Sequence, residues 1–325
     1  MINYKTKRIV ILGGGGFVGF HLASVLSQST DLQLLVIDNF INSEHDIEFS
    51  KLINMSNVKY KNLDLSIEAN YKNLFKKEDI VINCAALNGT QNFYTSPTRV
   101  LRNSAVTAIL AAEFAASVGV QKYIYLGSSE SYAGGLKLKL FHLPTPEDVP
   151  LTIPDIRNSR WSYGISKTIG EMATISNHSE FNLNYLILRL HNIYGPRMGI
   201  KHVIPDLVHR FKSNDGGVYG LNESRSFLFI EDFVTIFLKI LSSESIENNT
   251  TYNIGSQKEV LIEDLAIMIK NHMKSEVSIY SLGNFEGSVL RRCPDTSRIR
   301  SQISYMETSL EIGISKTVDW YLNSI

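Results

Sequence analysis

The sequence predicts an α/β fold, a doubly wound parallel sheet joined to a smaller C-terminal α/β unit suited to holding a substrate. Three observations support this. Short β-branched apolar runs alternate with stretches of helical period, a four-glycine segment directly follows the first run, and the rhythm shortens after Gly195-Pro196-Arg197. Strands are expected at 8–12, 33–37, 58–62, 80–83, 122–126 and 185–188, since unbroken apolar runs suit strands covered on both faces. Helices fall between them at 17–27, 67–76, 98–118 and 162–176, and right-handed crossovers make the doubly wound order the default. Residues 1–190 form the first unit and 191–325 mainly the second, with the chain crossing between them. In the second, helices are expected at 203–212, 231–241 and 262–273, and short strands at 218–219, 226–229 and 251–254. The stretch 134–158 holds four of the eight prolines and reads as a loop near the substrate.

Composition excludes several classes of partner. The 325 residues carry 32 Lys+Arg against 32 Asp+Glu, and zero net charge with no sustained basic stretch argues against nucleic acid. No apolar run approaches the roughly 20 residues of a membrane span, and the run at 9–12 is too short for a signal-peptide core. Cys84 and Cys293 are the only cysteines and lack metal-ligand spacing, so no metal site and a cytoplasmic location are expected.

Gly13-Gly14-Gly15-Gly16-Phe17-Val18-Gly19 sits between a predicted strand and a helix and spells G-x-x-G-x-x-G on Gly13, Gly16 and Gly19. Glycines permit a tight turn and close approach to a pyrophosphate, whose charge is met by the helix N-terminus around Phe17 and Val18. Val36-Ile37-Asp38-Asn39 ends the second strand, placing Asp38 nineteen residues beyond Gly19. A carboxylate there accepts hydrogen bonds from a ribose diol and repels a 2′-phosphate, which favours NAD over NADP. Asp64, before Leu65, suits either the adenine end of this Rossmann-type site or the cap of the next helix.

Tyr163 and Lys167 lie four apart in a helical stretch and so share one face. A phenol with pKa about 10 is too weak an acid to serve unaided, but a neighbouring ammonium favours its phenolate and makes it a workable general base. The strand at 122–126 runs into Gly127-Ser128-Ser129-Glu130, at the carboxyl end where doubly wound folds bind ligands. Ser128 there reads as a hydroxyl for a substrate alcohol or as a turn residue, and Glu130 as a second acid/base or a solvated surface group.

These motifs together resemble the extended short-chain dehydrogenase/reductase family, in particular its nucleotide-sugar epimerases, dehydratases and decarboxylases. The likeness runs along nearly the whole chain. Besides the glycine fingerprint and the Asp38 strand, Cys84-Ala85-Ala86 resembles the fourth-strand motif, Asn103 the helix that follows, and 188–197 the segment reaching nicotinamide and sugar through His191, Asn192 and Arg197. The resemblance further implies that Asp38, Asn39, Asp64 and Leu65 serve the adenosine half. It implies diphosphate-facing arginines at Arg225, in Arg225-Ser226-Phe227, and at Arg292, in Arg292-Cys293-Pro294. Phe20 and Val106 depart from the family's usual serine and glycine. A homodimer is also implied, packed on the helices at 98–118 and 162–176, with Ala105, Ala108, Ala111, Ala112, Ala115 and Ala116 as small residues suited to close packing.

The implied chemistry is NAD-dependent oxidation of a nucleotide-diphosphate sugar at C4, carried by Tyr163, Lys167, Ser128, Ser129 and Glu130, with GDP or UDP as the nucleotide. The 4-keto sugar would then be epimerised, dehydrated, decarboxylated or released. Dehydratases acting on dTDP-glucose carry Asp then Glu where this chain has Ser129-Glu130, which lowers that type, whereas GDP-mannose dehydratases and the uronate decarboxylases, with a hydroxyl residue followed by Glu, are more similar. Arg160-Trp161-Ser162-Tyr163 resembles the uronate decarboxylases, although Arg-Trp could equally pack the helix start. A non-catalytic NAD-binding sensor or scaffold is the remote alternative.

Overall fold

In the computed structural model residues 8–324 are described. The strands are β1 (Arg8–Leu12), β2 (Gln33–Ile37), β3 (Val58–Lys61), β4 (Ile80–Asn83), β5 (Lys122–Ser128), β6 (Tyr185–Leu190), β7 (Ile193–Tyr194), β8 (Gly217–Val218), β9 (Ser224–Ser226), β10 (Leu228–Phe229), β11 (Thr250–Ile254), β12 (Glu259–Leu261), β13 (Tyr280–Ser281) and β14 (Arg291–Arg292). The helices are α1 (Phe17–Leu26), α2 (Ile47–Ile53), α3 (Thr90–Thr95), α4 (Pro97–Leu101), α5 (Thr107–Val118), α6 (Ala133–Lys137), α7 (Ser162–Phe181), α8 (Val203–Lys212), α9 (Ile230–Ser242), α10 (Ile262–His272), α11 (Ser297–Gln302) and α12 (Leu310–Ser324).

Seven strands make the main sheet in the order β11-β6-β5-β4-β1-β2-β3, every pair parallel. The unbroken apolar runs are explained by burial on both faces: Ile9, Ile11, Leu34, Val36 and Ile82 pack in one core, while Val10, Leu12, Leu35, Ile37 and Val81 pack in another. Side chains alternate across a strand, so a sheet sandwiched between helices needs apolar residues at every position. From β1 the chain winds through β2 and β3 on one side and through β4, β5 and β6 on the other. The crevice at the carboxyl ends of β1 and β4 is therefore the switch point where such sheets bind ligands.

Several expected elements differ. The helix expected at 67–76 is a single 3₁₀ turn, Glu68–Tyr71, because Asn73 takes a left-handed conformation (φ 58°) that ends helical winding. The helix expected at 98–118 starts at Pro97 and is interrupted by a π turn over Arg102–Val106, where the Ser104 hydroxyl accepts a 3.1 Å bond from the Leu87 amide. The strand expected at 226–229 divides at Phe227, since β9 pairs with β12 and β14 while β10 pairs with β7. β11 belongs to the main sheet beside β6, not to the smaller unit. Within 134–158, α6 occupies the start, and the rest is tied to the C-terminal segment by Thr145, whose amide donates to the Cys293 carbonyl and whose carbonyl accepts from Asp295, both at 2.8 Å. Among the described residues no helix is long and apolar enough to cross a membrane.

Candidate active site

The glycine segment hangs between two strand ends. Gly13 and Gly14 donate to the Ile37 carbonyl at 2.8 and 3.1 Å, and Cys84 donates to the Leu12 carbonyl at 2.9 Å. Gly13 is left-handed (φ +76°), and a Cβ there would sit 2.7 Å from the Ala85 backbone, so only glycine fits. A Cβ at Gly19 would overlap the Gly13 carbonyl, whereas one at Gly16 meets nothing nearer than 3.4 Å. The loop is thus packed tightly behind and left open at Gly16, where α1 begins with no side-chain cap on its first amides. That cradle fits a dinucleotide diphosphate: Gly13, Gly16 and Gly19 would let the backbone come close, and the uncapped helix-start amides at Phe17 and Val18 would face its charge. Asp38 stands beside it, its carboxylate accepting from Gly15 at 2.9 Å and Phe40 at 2.7 Å, and burial raises its pKa against those bonds. Asn39 accepts from the Ile41 amide and shapes the same turn. Ala85 is fixed by Asn83 at 3.0 Å, and the Cys84 thiol is pushed up to about 12 by burial, which leaves it a neutral wall.

Tyr163, Lys167 and Ser128 converge across the crevice. Lys167 is buried and its ammonium donates to the Leu126 carbonyl at 2.8 Å, 5.9 Å from the centre of the Tyr163 ring. Burial lowers Lys167 to about 8. Tyr163 stacks on Phe93 at 5.0 Å with planes 10° apart, and the Ser128 side chain near its hydroxyl favours the phenolate. Burial, with the negative charge of Glu130, drives the phenol well above its ordinary value, so without a further positive charge Tyr163 is neutral. Ser129 is buried beside Ser128, in a 3₁₀ turn for which Ser128 is the cap, its hydroxyl accepting from the Glu130 amide at 3.2 Å.

Glu130 requires a correction. The expected acid/base is gripped by two guanidinium groups, Arg160 on Oε2 and Arg292 on Oε1, both at 2.7 Å. Burial alone would raise its pKa, but Arg160 and Arg292 outweigh it and hold the carboxyl well below the usual carboxylate range. A carboxylate so stabilised is a poor proton acceptor and carries no proton to give. Arg225 lies in cross-strand register with Arg292, pairs with Glu223 at 2.5 Å and donates to Ser288. The two arginines expected at a diphosphate are therefore brought together, next to Glu130.

Other expected residues stand elsewhere. Asp64 accepts from the amide and hydroxyl of Ser66, each at 2.8 Å, which closes a local turn ahead of the 3₁₀ turn, whose own N-cap, Ile67, makes no side-chain bond, and Leu65 points into the core with Tyr71. Asn103, in the π turn, bonds back to the Arg99 carbonyl at 2.9 Å. His191 is buried, its Nε2 against Asn253 at 3.1 Å and its Nδ1 without a partner, and burial pulls it down to about 3. Asn192 donates to the Ser226 carbonyl at 2.8 Å. Arg197, expected at the substrate, instead lies over the Phe20 ring at 3.8 Å and pairs with Asp46 at 2.6 Å and Glu48 at 3.4 Å. Phe20, where the family usually has serine, is thus the platform for this arginine.

Sequence reasoning gave Phe93 no role and left Arg160 open between two. It also missed a strap at 283–288, which bridges the two halves: Phe285 stacks on Tyr94 at 6.2 Å and on Tyr219 at 4.5 Å, and the Tyr94 hydroxyl donates to the Glu286 carbonyl at 2.5 Å. These contacts are long-range and leave no local pattern. Among the described residues no group of three or more His, Cys, Asp or Glu could hold a metal.

Comparison with known proteins agrees with this fold. The sequence pattern of a family described as the NAD dependent epimerase/dehydratase family matches residues 9–255. A UDP-N-acetyl-alpha-D-glucosaminuronate decarboxylase of Bacillus cytotoxicus is 27% identical over 331 residues, covering 97% of this chain and 98% of that one. A dTDP-D-glucose 4,6-dehydratase of Mus musculus is 26% identical over 327 residues, covering 97% and 88%. The crystal structure of UDP-glucuronic acid 4-epimerase from Bacillus cereus, with UDP-glucuronic acid and NAD, has the same fold, with a TM-score of 0.88 at 20% identity over 98% of this chain and 100% of that one.

Proposed function

Since the chain belongs to the NAD dependent epimerase/dehydratase family, we propose that it oxidises a nucleotide-linked sugar at C4, with Tyr163 taking the hydroxyl proton. The observation that carries this is the meeting of Tyr163, Ser128 and Lys167 at the carboxyl end of β5, across the crevice from the glycine cradle. The chemistry NAD supplies when bound is acceptance of the C4 hydride, together with a positive charge near the phenol. Ser128 holds the sugar oxygen while Tyr163 withdraws its proton, and the Lys167 ammonium stabilises the phenolate that the lone protein disfavours. Gly13, Gly16 and Gly19 with Asp38 hold the dinucleotide, so residues 1–190 carry the cofactor and 191–325 most of the sugar nucleotide. The names of the relatives above carry UDP or dTDP, which favours a pyrimidine nucleotide over the GDP alternative.

Of the steps that could follow, dehydration is the least supported. It needs a group to remove the C5 proton and another to protonate the leaving hydroxyl, yet Ser129 is not an acid and Glu130 is held by Arg160 and Arg292. Decarboxylation is the favoured second reading: a 4-keto group lies β to a C6 carboxylate, so carbon dioxide leaves by cleavage of C5–C6 while the electrons pass to the C4 oxygen. Epimerisation needs only the three residues already named.

Replacing Tyr163 by Phe should lower NADH formation on mixing the NAD-loaded protein with nucleotide sugars by about 10²–10⁴-fold. Equal NADH formation in the variant sinks the assigned base. If the unaltered protein gives no NADH and no changed sugar with UDP-, dTDP- or GDP-sugars, the scaffold alternative takes its place.

A further inference from the structure

Positive charge is in surplus beside Tyr163. Arg160, Arg225 and Arg292 are served by two carboxylates, Glu130 for Arg160 and Arg292 and Glu223 for Arg225. All five side chains are 16% exposed or less, so three cations against two anions leaves one buried positive charge. Two N–H groups of the cluster, at Arg160 Nη1 and Arg292 Nε, are buried with no hydrogen-bond partner. Buried charge and unpaired donors are unfavourable unless something answers them, and an anionic oxygen group answers both.

The position of the surplus says which end of a sugar nucleotide it faces. Arg160 precedes Tyr163 by three residues, its guanidinium lies 5.4 Å from the centre of the Phe93 ring, and that ring stacks on Tyr163. Glu130, the hub of the cluster, is close enough to Tyr163 to act on its phenol. The cluster therefore borders the carbon that Tyr163 would address. Resting on the C4-oxidation reading above, we propose that the cluster recognises a carboxylate on the sugar itself, at C6, so that the preferred substrate is a nucleotide-linked hexuronate and Arg160 is the residue that selects it. Gly287 lies against Arg160, where a Cβ would be 3.1 Å from Cγ, so the strap at 283–288 packs on the stem of this side chain.

The test is calorimetric titration of the NAD-loaded protein with UDP, UDP-glucose and UDP-glucuronate, for the unaltered chain, Arg160→Gln and Arg160→Lys. The unaltered protein should bind UDP-glucuronate about tenfold or more tighter than UDP-glucose, as expected of a charge-assisted pair. Arg160→Gln should bring that ratio close to one, and Arg160→Lys should restore part of it. Retained UDP binding in Arg160→Gln shows that the variant is folded and supports the assignment to the sugar. A ratio near one in the unaltered protein overturns the proposal, and so does an equal loss for UDP and both sugars, which would put the surplus charge at the diphosphate. NADH formed from UDP-glucose without uronate preference removes this inference alone. Arg160-dependent uronate binding with no NADH and no altered sugar keeps it and removes the C4 oxidation.

Discussion

Glu130 and His191 show how burial turns residue type into two opposite outcomes. Glu130 is buried with two cations and stays ionised, whereas His191 is buried with an amide partner and stays neutral. The histidine has a measurable consequence. Its pKa falls to about 3 in the folded protein, while the unfolded chain protonates near the ordinary value of about 6.5. Below that value the unfolded state holds a proton that the folded state lacks, so stability falls as the pH is lowered from about 6.5 toward 3. The loss is about 1.4 kcal/mol per pH unit, or about 2 kcal/mol by pH 5. His191→Asn should therefore show a shallower fall in denaturant midpoint between pH 7 and pH 5, and equal slopes for the two proteins would count against a neutral buried imidazole.

At the scale of elements, α7 is placed by the residues it lacks. A Cβ at Gly170 would overlap the Tyr125 hydroxyl and come within 2.9 Å of the Ala108 Cβ, so the helix can approach β5 and α5 only with glycine there. The same approach sets Lys167, one turn earlier, against the Leu126 carbonyl. Gly170→Ala should destabilise the protein by about 1–3 kcal/mol by overpacking, measured by urea unfolding, and a change within 0.5 kcal/mol would show that the contact yields freely. Ala108, Ala111, Ala112 and Ala115 are fully buried against this chain's own core, so that stripe packs inward and is not available to a second copy.

Across the whole molecule, the two halves are tied at the mouth of the cofactor groove. Arg197 joins the 193–198 segment to Asp46 and Phe20, Lys201 donates to Asn92 at 3.1 Å, and His21 bonds the Pro196 carbonyl at 2.9 Å. Phe40, in the segment leading to Asp46, lies against Gly15 of the glycine loop. Cutting the strongest of these ties should ease escape of a bound dinucleotide. Arg197→Ala should speed NAD release about tenfold, the scale of one charge-assisted contact, followed by stopped-flow fluorescence with an NAD trap. An unchanged release rate would mean that this clasp does not gate the groove.

The sequence by itself determined the parallel sheet, the glycine cradle, Asp38 and the pair Tyr163–Lys167, because each depends on spacing within one strand, turn or helix. Apolar runs require two covered faces, and a Tyr-x-x-x-Lys pair shares a face wherever its helix lies. Where Glu130, Arg160, Arg197, Arg225 and Arg292 stand and what they pair with was decided only by the tertiary structure. Ion-pair partners lie between 30 and 162 residues away for Arg160, Arg197 and Arg292, against two for Arg225. Coulomb interaction and desolvation depend on distance through space, and no sequence pattern carries that distance.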